Sequence, residues 1–528
     1  MTVVVSGISL PWGENREYAV RNAAKLCGVS IDEKITAEIC REALDARRGK
    51  LSSVYSVKIS GISDKLGKSL CKKNDRIRPC TDTTLDELIA AAAPAKKGLR
   101  PVVVGLGPAG MFAALTLARM GMRPVVLERG KPVAERDGDV ELFVKERKLD
   151  PESNIQFGEG GAGAYSDGKL TTRINDPLCS AVLGELVSHG APRETLYRAR
   201  PHIGTDLLKK VVSAINEETL RLGGEIRWKT PCTGFTAKNG KLSAVRTPDG
   251  EIECSAAVFA VGHSARDTFA QLLADGLVIV PKSFAVGVRI EHLQSDIDRA
   301  MYGSFAGTKG LGAAEYFVSN REGDRGCFSF CMCPGGEVCA AASVQGTVVT
   351  NGMSYHARNG VNGNAAIAVS ADVGAFAPGP LGGVLLSQEL EEKAYLLGGC
   401  DYTAPAQLVK DFLAKKNSAA AGRVAPSYPL GVKFGSVEPL LPPGGAELMR
   451  RSLEKFSRSY RFFGDGDAVL TGPETRTSSP VRMTRNMAGE SVGVSGIFPC
   501  GEGAGYAGGI MSAAVDGIRQ ALSLAGKL

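Results

Sequence analysis

The chain has 528 residues, 44% of them hydrophobic and 23% charged, with 13 cysteines and a formal net charge of +7. That length exceeds what one core serves and should divide into two to four domains, with the charge fraction of a soluble globular protein. No run reaches 18 apolar residues, which excludes a membrane-spanning helix. The odd cysteine count, with no basic and apolar leader before it, points to reduced thiols in a cytoplasm.

Residues 1–95 read as a small basic α+β unit. VVVSGISL at 3–10 and VYSVKISGI at 54–62 alternate as strands do. Two helical stretches are predicted between them, the second over 32–48 with Ser30 or Asp32 as its cap. Within residues 1–100, 18 Lys and Arg stand against 12 Asp and Glu, so +6 of the +7 sits there. Such a unit could meet nucleic acid or an acidic partner, although a solvated surface with a few extra lysines is the plainer reading. AAAAPAKKGLRP at 90–101 then reads as a linker with a proline stop.

From residue 100 the pattern becomes strand, glycine turn, helix, strand: PVVVGLGPAG, MFAALTLARMGM, PVVLERG. A second helix–strand run follows at 205–230, then a β-meander over 232–262 with turns at Asn239-Gly240 and Asp249-Gly250. Residues 281–470 are mixed, with a strand at 283–293 and helices near 388–397 and 444–462. The last segment, from Ser495, is strand, glycine cluster and helix.

The string GxGxxG occurs at Gly105-Gly107-Gly110, Gly158-Gly160-Gly163 and Gly503-Gly505-Gly508, and context separates the copies. The first follows an apolar strand, opens an apolar helix, and has Glu128 at the end of the next strand, 23 residues after Gly105. Gly105 makes the tight turn, Gly107 admits a pyrophosphate, Gly110 lets helix and strand pack closely, and Glu128 can accept from a ribose. This is a dinucleotide-binding signature. The second copy precedes a polar stretch and reads as a flexible or ligand-hugging loop. The third has no room for a second βαβ unit and reads as a turn aimed at a ligand held by the first.

RPVVVGLGPAGMFAAL, SNIQFGEGGAGAYSDGKLTTR, GVRIEH, SFCMCPGGEV, NGMSYHAR, TGPETRTSSPVR and PCGEGAGYAGGIMSAAVDG occur in this order from about residue 30 onward. In this the chain resembles a bacterial family described as FAD-dependent dehydrogenases or NAD(P)/FAD-dependent oxidoreductases, and more broadly the two-dinucleotide-binding-domain flavoproteins. The resemblance implies FAD. It also implies that Glu502 fills the acidic place holding the ribityl chain, and that the helix beginning near Gly509 and Ile510 points at the flavin pyrimidine, where its positive end would stabilise a reduced flavin.

The expected fold class is therefore α/β. A discontinuous Rossmann-like FAD-binding domain (99–280 and 471–528) would carry an inserted mixed α+β substrate domain (281–470) and the small N-terminal α+β domain (1–95). The expected cofactor contacts are Gly105, Gly107, Pro108, Ala109, Gly110, Glu128, Arg129, Gly160, Gly161, Ala162, Gly163, Cys232, Ala260, Gly262, Gly501, Glu502, Gly503, Gly508, Gly509 and Ile510.

For catalysis, His292 is the candidate for proton transfer, with Glu291 on the opposite strand face; His263 is positional. Arg476 and Arg482 are candidate clamps for an anionic substrate or for phosphates. Cys327, Cys331, Cys333 and Cys339 lack zinc-site spacing, so no metal is expected. Cys331 and Cys333 could form a redox disulfide, but the reading adopted makes FSFCMC a scaffold strand lining the cavity. With no second complete nucleotide fold, NAD(P)H would dock transiently, or electrons would come from a protein carrier. The expected activity is hydride transfer between flavin and a small molecule; a flavoprotein acting on RNA and a non-catalytic flavin protein are the alternatives.

Overall fold

The computed structural model of the protein describes residues 1–46, 50–92, 100–172, 174–375 and 377–527. Most of the linker expected at 90–101 lies outside them.

Three sheets carry the architecture. The first is parallel, in the order Ile497–Pro499, Ala257–Phe259, Val102–Val104, Val125–Leu127, Glu225–Arg227. Its first four strands are fully buried, so they read as unbroken apolar triplets rather than alternating ones. Val103, Val126 and Val258 pack with Phe112 and Leu115 of the helix Pro108–Arg119 and with Ile518 of the helix Ile510–Lys527. Val102, Leu127 and Phe259 pack on the other side with Phe235, Val245 and Leu272. Each such side chain contributes about 1.5–3 kcal/mol by leaving water. The meander forms a separate antiparallel sheet, Gly234–Lys238, Lys241–Thr247 and Gly250–Glu253.

The second main sheet has seven strands, ordered Ser319–Glu322, Arg325–Cys333, Asn362–Ala371, Phe284–Leu293, Val469–Glu474, Ala404–Leu408, Val432–Phe434. All pairs are antiparallel except the last. The chain enters this sheet after Ile279–Pro281 and leaves it before Val481–Met483, and those two segments pair with each other.

The N-terminal sheet runs Thr36–Asp45, Ser52–Ser60, Val3–Pro11, Ile77–Pro79, backed by the helices Glu17–Cys27 and Asp64–Lys73. This corrects the second predicted helix: residues 36–45 form a strand, paired with Ser52–Ser60 from Thr36↔Ser60 to Asp45↔Ser52. A bulge between Ile39 and Arg41 shifts the register and breaks the alternation, leaving a helix-like spacing in the sequence. Asp32 caps only a turn, accepting from Lys34 N at 2.8 Å and Ile35 N at 2.7 Å. Strand 36–45 also bonds the main body, with Glu42 N donating to Tyr197 O at 2.6 Å and Ala199 N to Glu42 O at 2.8 Å.

Candidate active site

The parallel strands end along one edge, and the residues that follow them, Gly105, Glu128, Ala260 and Cys500, line a cleft of about 350 Å³. That edge is where ligands bind in open α/β sheets. Gly105 has a φ of +94°, and a Cβ there would lie 2.4 Å from Ala260 O. A Cβ on Gly110 would lie 1.9 Å from Gly105 O, so only glycine lets the helix start sit on the turn. Gly110 thus packs behind the cleft, while Gly107, Pro108 and Ala109 line it. Gly107 is the helix N-cap and provides no side-chain cap, which leaves the first N–H groups to a ligand.

The second glycine loop closes over the first. A Cβ on Gly161 would stand 3.0 Å from Gly107 Cα; Gly161, Ala162 and Gly163 line the cleft. Gly160 is turned away against Val212. The loop contains one short turn of 3-10 helix, Gly161–Tyr165, and no buried helix. Glu128 ties these loops together. Its carboxylate accepts from Leu106 N at 2.8 Å and from Gly130 N and Gly158 N, both at 2.9 Å. Arg129, also lining, pairs with Glu152 and Asp267 and covers the Phe157 ring at 4.2 Å. Cys232 lines the cleft with its thiol pushed up to about 11 by burial.

The last segment supplies another wall. Glu502 lines the cleft 3.2 Å from His263 Nδ1, and Gly508, Gly509 and Ile510 line it where the C-terminal helix begins. Gly501 and Gly503 stand behind: a Cβ would meet Ala109 Cβ at 2.6 Å and the Gly262 carbonyl at 2.5 Å respectively. Asp516 holds this wall, accepting from Gly501 N at 2.8 Å and from Arg485 at 2.8 and 3.0 Å. Sequence reasoning passed over it; the available signal was a lone aspartate among the apolar residues of IMSAAVDGI.

The third wall comes from the seven-stranded side through Phe330, Cys331, Asn351, Arg476 and Thr477. Arg476 and Arg266 share one fully buried carboxylate, Glu391, at 3.2 and 2.6 Å, and Thr475 donates to it as well. Burial alone would raise the Glu391 carboxyl, but the two guanidiniums hold it below the usual range. Arg476 moves down to about 10 although it is paired, because burial and the like charge of Arg266 outweigh half a carboxylate. Its Nη1 is buried without a hydrogen-bond partner. Arg482 instead lies over the Tyr506 ring at 5.1 Å and donates to Gly505 O.

His292 is not in the cleft, which corrects its expected role. It is 2% exposed, and its ring meets Phe462 at 4.8 Å, Phe463 at 5.0 Å and Tyr316 at 6.0 Å. Burial pushes it down to about 3, so it stays neutral. Parity explains the placement: on strand 284–293 it shares a face with Val288 and Ile290, both in the main core. Glu291, on the other face, binds Ser427 and Asn362.

A relative from Clostridium beijerinckii, carrying the description "Uncharacterized protein", is 43% identical over 525 residues, covering 99% of this chain and 98% of its own. Residues 283–477 match the family described as FAD-dependent protein, C-terminal domain-like. The chain belongs to this FAD-dependent protein family. Among solved structures, CtdE in complex with FAD aligns over 81% of this chain and 82% of its own at 11% identity and a TM-score of 0.30. Glycine oxidase from Geobacillus kaustophilus aligns over 81% and 92% at 11% identity and a TM-score of 0.33. At those scores they bear no weight for this chain.

The residues of this FAD-dependent protein fit its cofactor. A Cβ built on Gly262, Gly508 or Gly509 would meet nothing within 4 Å, so these backbones face open cleft. His263 Nε2 is buried without a hydrogen-bond partner, a group a bound ligand would satisfy. The uncapped helix start suits a pyrophosphate, and Glu128 retains lone-pair capacity beside its three N–H donors.

Proposed function

We propose that the protein is an FAD-dependent oxidoreductase that transfers a hydride between flavin and a small anionic molecule. Flavin, when bound, supplies the redox chemistry. The chain's own residues bind and orient. The two glycine loops grip the dinucleotide, and the amino end of the helix Ile510–Lys527 favours negative charge at its wall. Arg476 carries the reading of the substrate. Arg476 lines the cofactor cleft and its buried Nη1 has no hydrogen-bond partner, a donor that a carboxylate or phosphate would satisfy.

The test is an anaerobic titration of the FAD-loaded protein with NADPH, NADH and a panel of small 2-hydroxy and 2-amino acids, following the flavin absorption band. Bleaching by one of these donors, together with a KM about ten-fold or more higher for an anionic substrate in Arg476→Gln and a smaller loss in Arg476→Lys, supports the proposal. An anionic substrate handled equally by wild type and Arg476→Gln removes Arg476 from the site. A flavin that no donor reduces overturns the oxidoreductase reading.

A further inference from the structure

The strand Arg325–Cys333 pairs regularly with Asn362–Ala371 up to Phe330, and then its register shifts before Cys333. At the break, Cys331 has a φ of +44°, in the left-handed region that strains a non-glycine residue. A flat strand would put Cys331 and Cys333 on one face. The bulge changes that placement: Cys331 lines the cleft, and Cys333 is buried beside it with its thiol donating to Cys331 O at 3.4 Å.

Several charged and titratable groups surround the Cys331 sulfur. Arg289 lies beneath, completely buried, donating to Cys331 O at 2.8 Å and to Asn351 Oδ1 at 2.8 Å while held by Glu474 at 2.7 Å. Lys169 and Asp167 of the second glycine loop line the same cleft, and their charges, with that of Cys339 on the strand Glu337–Ala340, act on Cys331. The Cys333 thiol stabilises negative charge on the Cys331 sulfur; Arg289 and Lys169 add to this against burial, and the Cys331 thiol is held below its ordinary range. Cys333 is pushed far up. The two shifts run in opposite directions, so Cys331 is the member that ionises first, and a thiolate is the species that starts disulfide exchange.

We propose that Cys331 and Cys333 are a redox-active dithiol that exchanges two electrons with the flavin. The proposal rests on FAD occupying the cleft. In oxidation the Cys331 thiolate and the Cys333 thiol form one S–S bond and release two electrons and one proton. A flavin bound in the cleft would be the acceptor that balances these two electrons and one proton. The ring spans a single intervening residue, Met332, so the disulfide is strained and easily reduced, which suits a carrier rather than a structural bridge.

The experiment uses the full-length FAD-loaded protein, oxidised with diamide and titrated anaerobically with dithionite. The expected uptake is about four electrons per FAD, falling to about two in Cys333→Ser and in Cys331→Ser, since each couple takes two. Peptide mapping of the oxidised wild type after alkylation should show the Cys331–Cys333 peptide two hydrogens lighter. A second readout does not depend on the variants folding. Iodoacetamide at pH 6 should label Cys331 ahead of the exposed Cys400, because the Cys331 thiol is held below its ordinary range. Uptake of about two electrons by wild type, with both thiols still alkylated after diamide, overturns the proposal. Preparations that never retain FAD but form the linked peptide would refute the cofactor reading alone, leaving a thiol switch without a flavin partner.

Discussion

Gly110→Ala tests whether the glycine cradle holds FAD through the position of the helix start. The new Cβ would lie 1.9 Å from Gly105 O and 2.9 Å from Gly105 C, both backbone atoms that cannot rotate away. Ordinary contact begins near 3.4 Å, so the start of the helix Pro108–Arg119 must retreat by about 1.5 Å. That carries its free N–H groups out of hydrogen-bond range of a pyrophosphate bound at the turn. Losing one hydrogen bond to a charged group costs about 1.5–3 kcal/mol, an affinity loss of about ten- to one hundred-fold. The assay is titration of the apoprotein with FAD, following flavin fluorescence. Gly184→Ala is the control: it lies exposed in the helix Leu178–Ser188, its Cβ would meet nothing within 4 Å, and alanine there adds about 0.8–1 kcal/mol of helix stability. Gly184→Ala should leave FAD affinity unchanged. If Gly110→Ala also binds within two-fold of wild type, the steric argument fails.

Glu391→Gln should strand two buried guanidiniums and lower stability by about 3–5 kcal/mol, read as a drop in the urea midpoint. Because the Glu391 carboxyl is held below its ordinary value of about 4.3, its contribution is present above that pH and is lost as pH falls through the lower folded value; the variant should lack that acid-dependent decline. His292→Phe tests the aromatic enclosure. The unfolded chain takes up a proton near pH 6.5 that folded His292 refuses until about 3, so stability falls with pH across that window. The variant should lose one proton's worth of that slope in urea midpoints measured from pH 6.5 to 3. Any pH profile of flavin reduction should be unchanged, and a shifted profile would return His292 to the chemistry.

The parts of the site that rest on local pattern were legible in the sequence. Gly105, Gly107, Gly110 and Glu128 sit on consecutive elements of one βαβ unit, and their spacing is fixed by a strand, a turn and a helix that each obey short-range rules. What depends on the partner of an element was hidden. Thr36–Asp45 is a strand because Ser52–Ser60 pairs with it, and its bulge disguises the alternation. His292 lies on a strand buried on both faces, where no alternation marks which side meets the ligand. Cys331 departs from regular strand geometry at one residue, which composition cannot register. Arg266, Glu391 and Arg476 come together from three separate segments, and no spacing links them.

The neighbours Ala257–Phe259 and Ile497–Pro499 lie side by side in the parallel sheet, yet the whole seven-stranded sheet is synthesised between them. A ribosome releases the fingerprint strand and both its neighbours early, but supplies the strand beside Ala257–Phe259, and the helix Ile510–Lys527, after the whole seven-stranded sheet. The nascent chain must therefore carry the outer edge of Ala257–Phe259 unpaired, and the face of the helix Pro108–Arg119 that meets Ile510–Lys527 uncovered, through much of its translation. A chaperone that shields apolar surface would have its longest residence there. A message truncated before Ile497 would yield a polypeptide with every glycine of the first motif but without the wall that Cys500, Glu502 and Ile510 give the cleft.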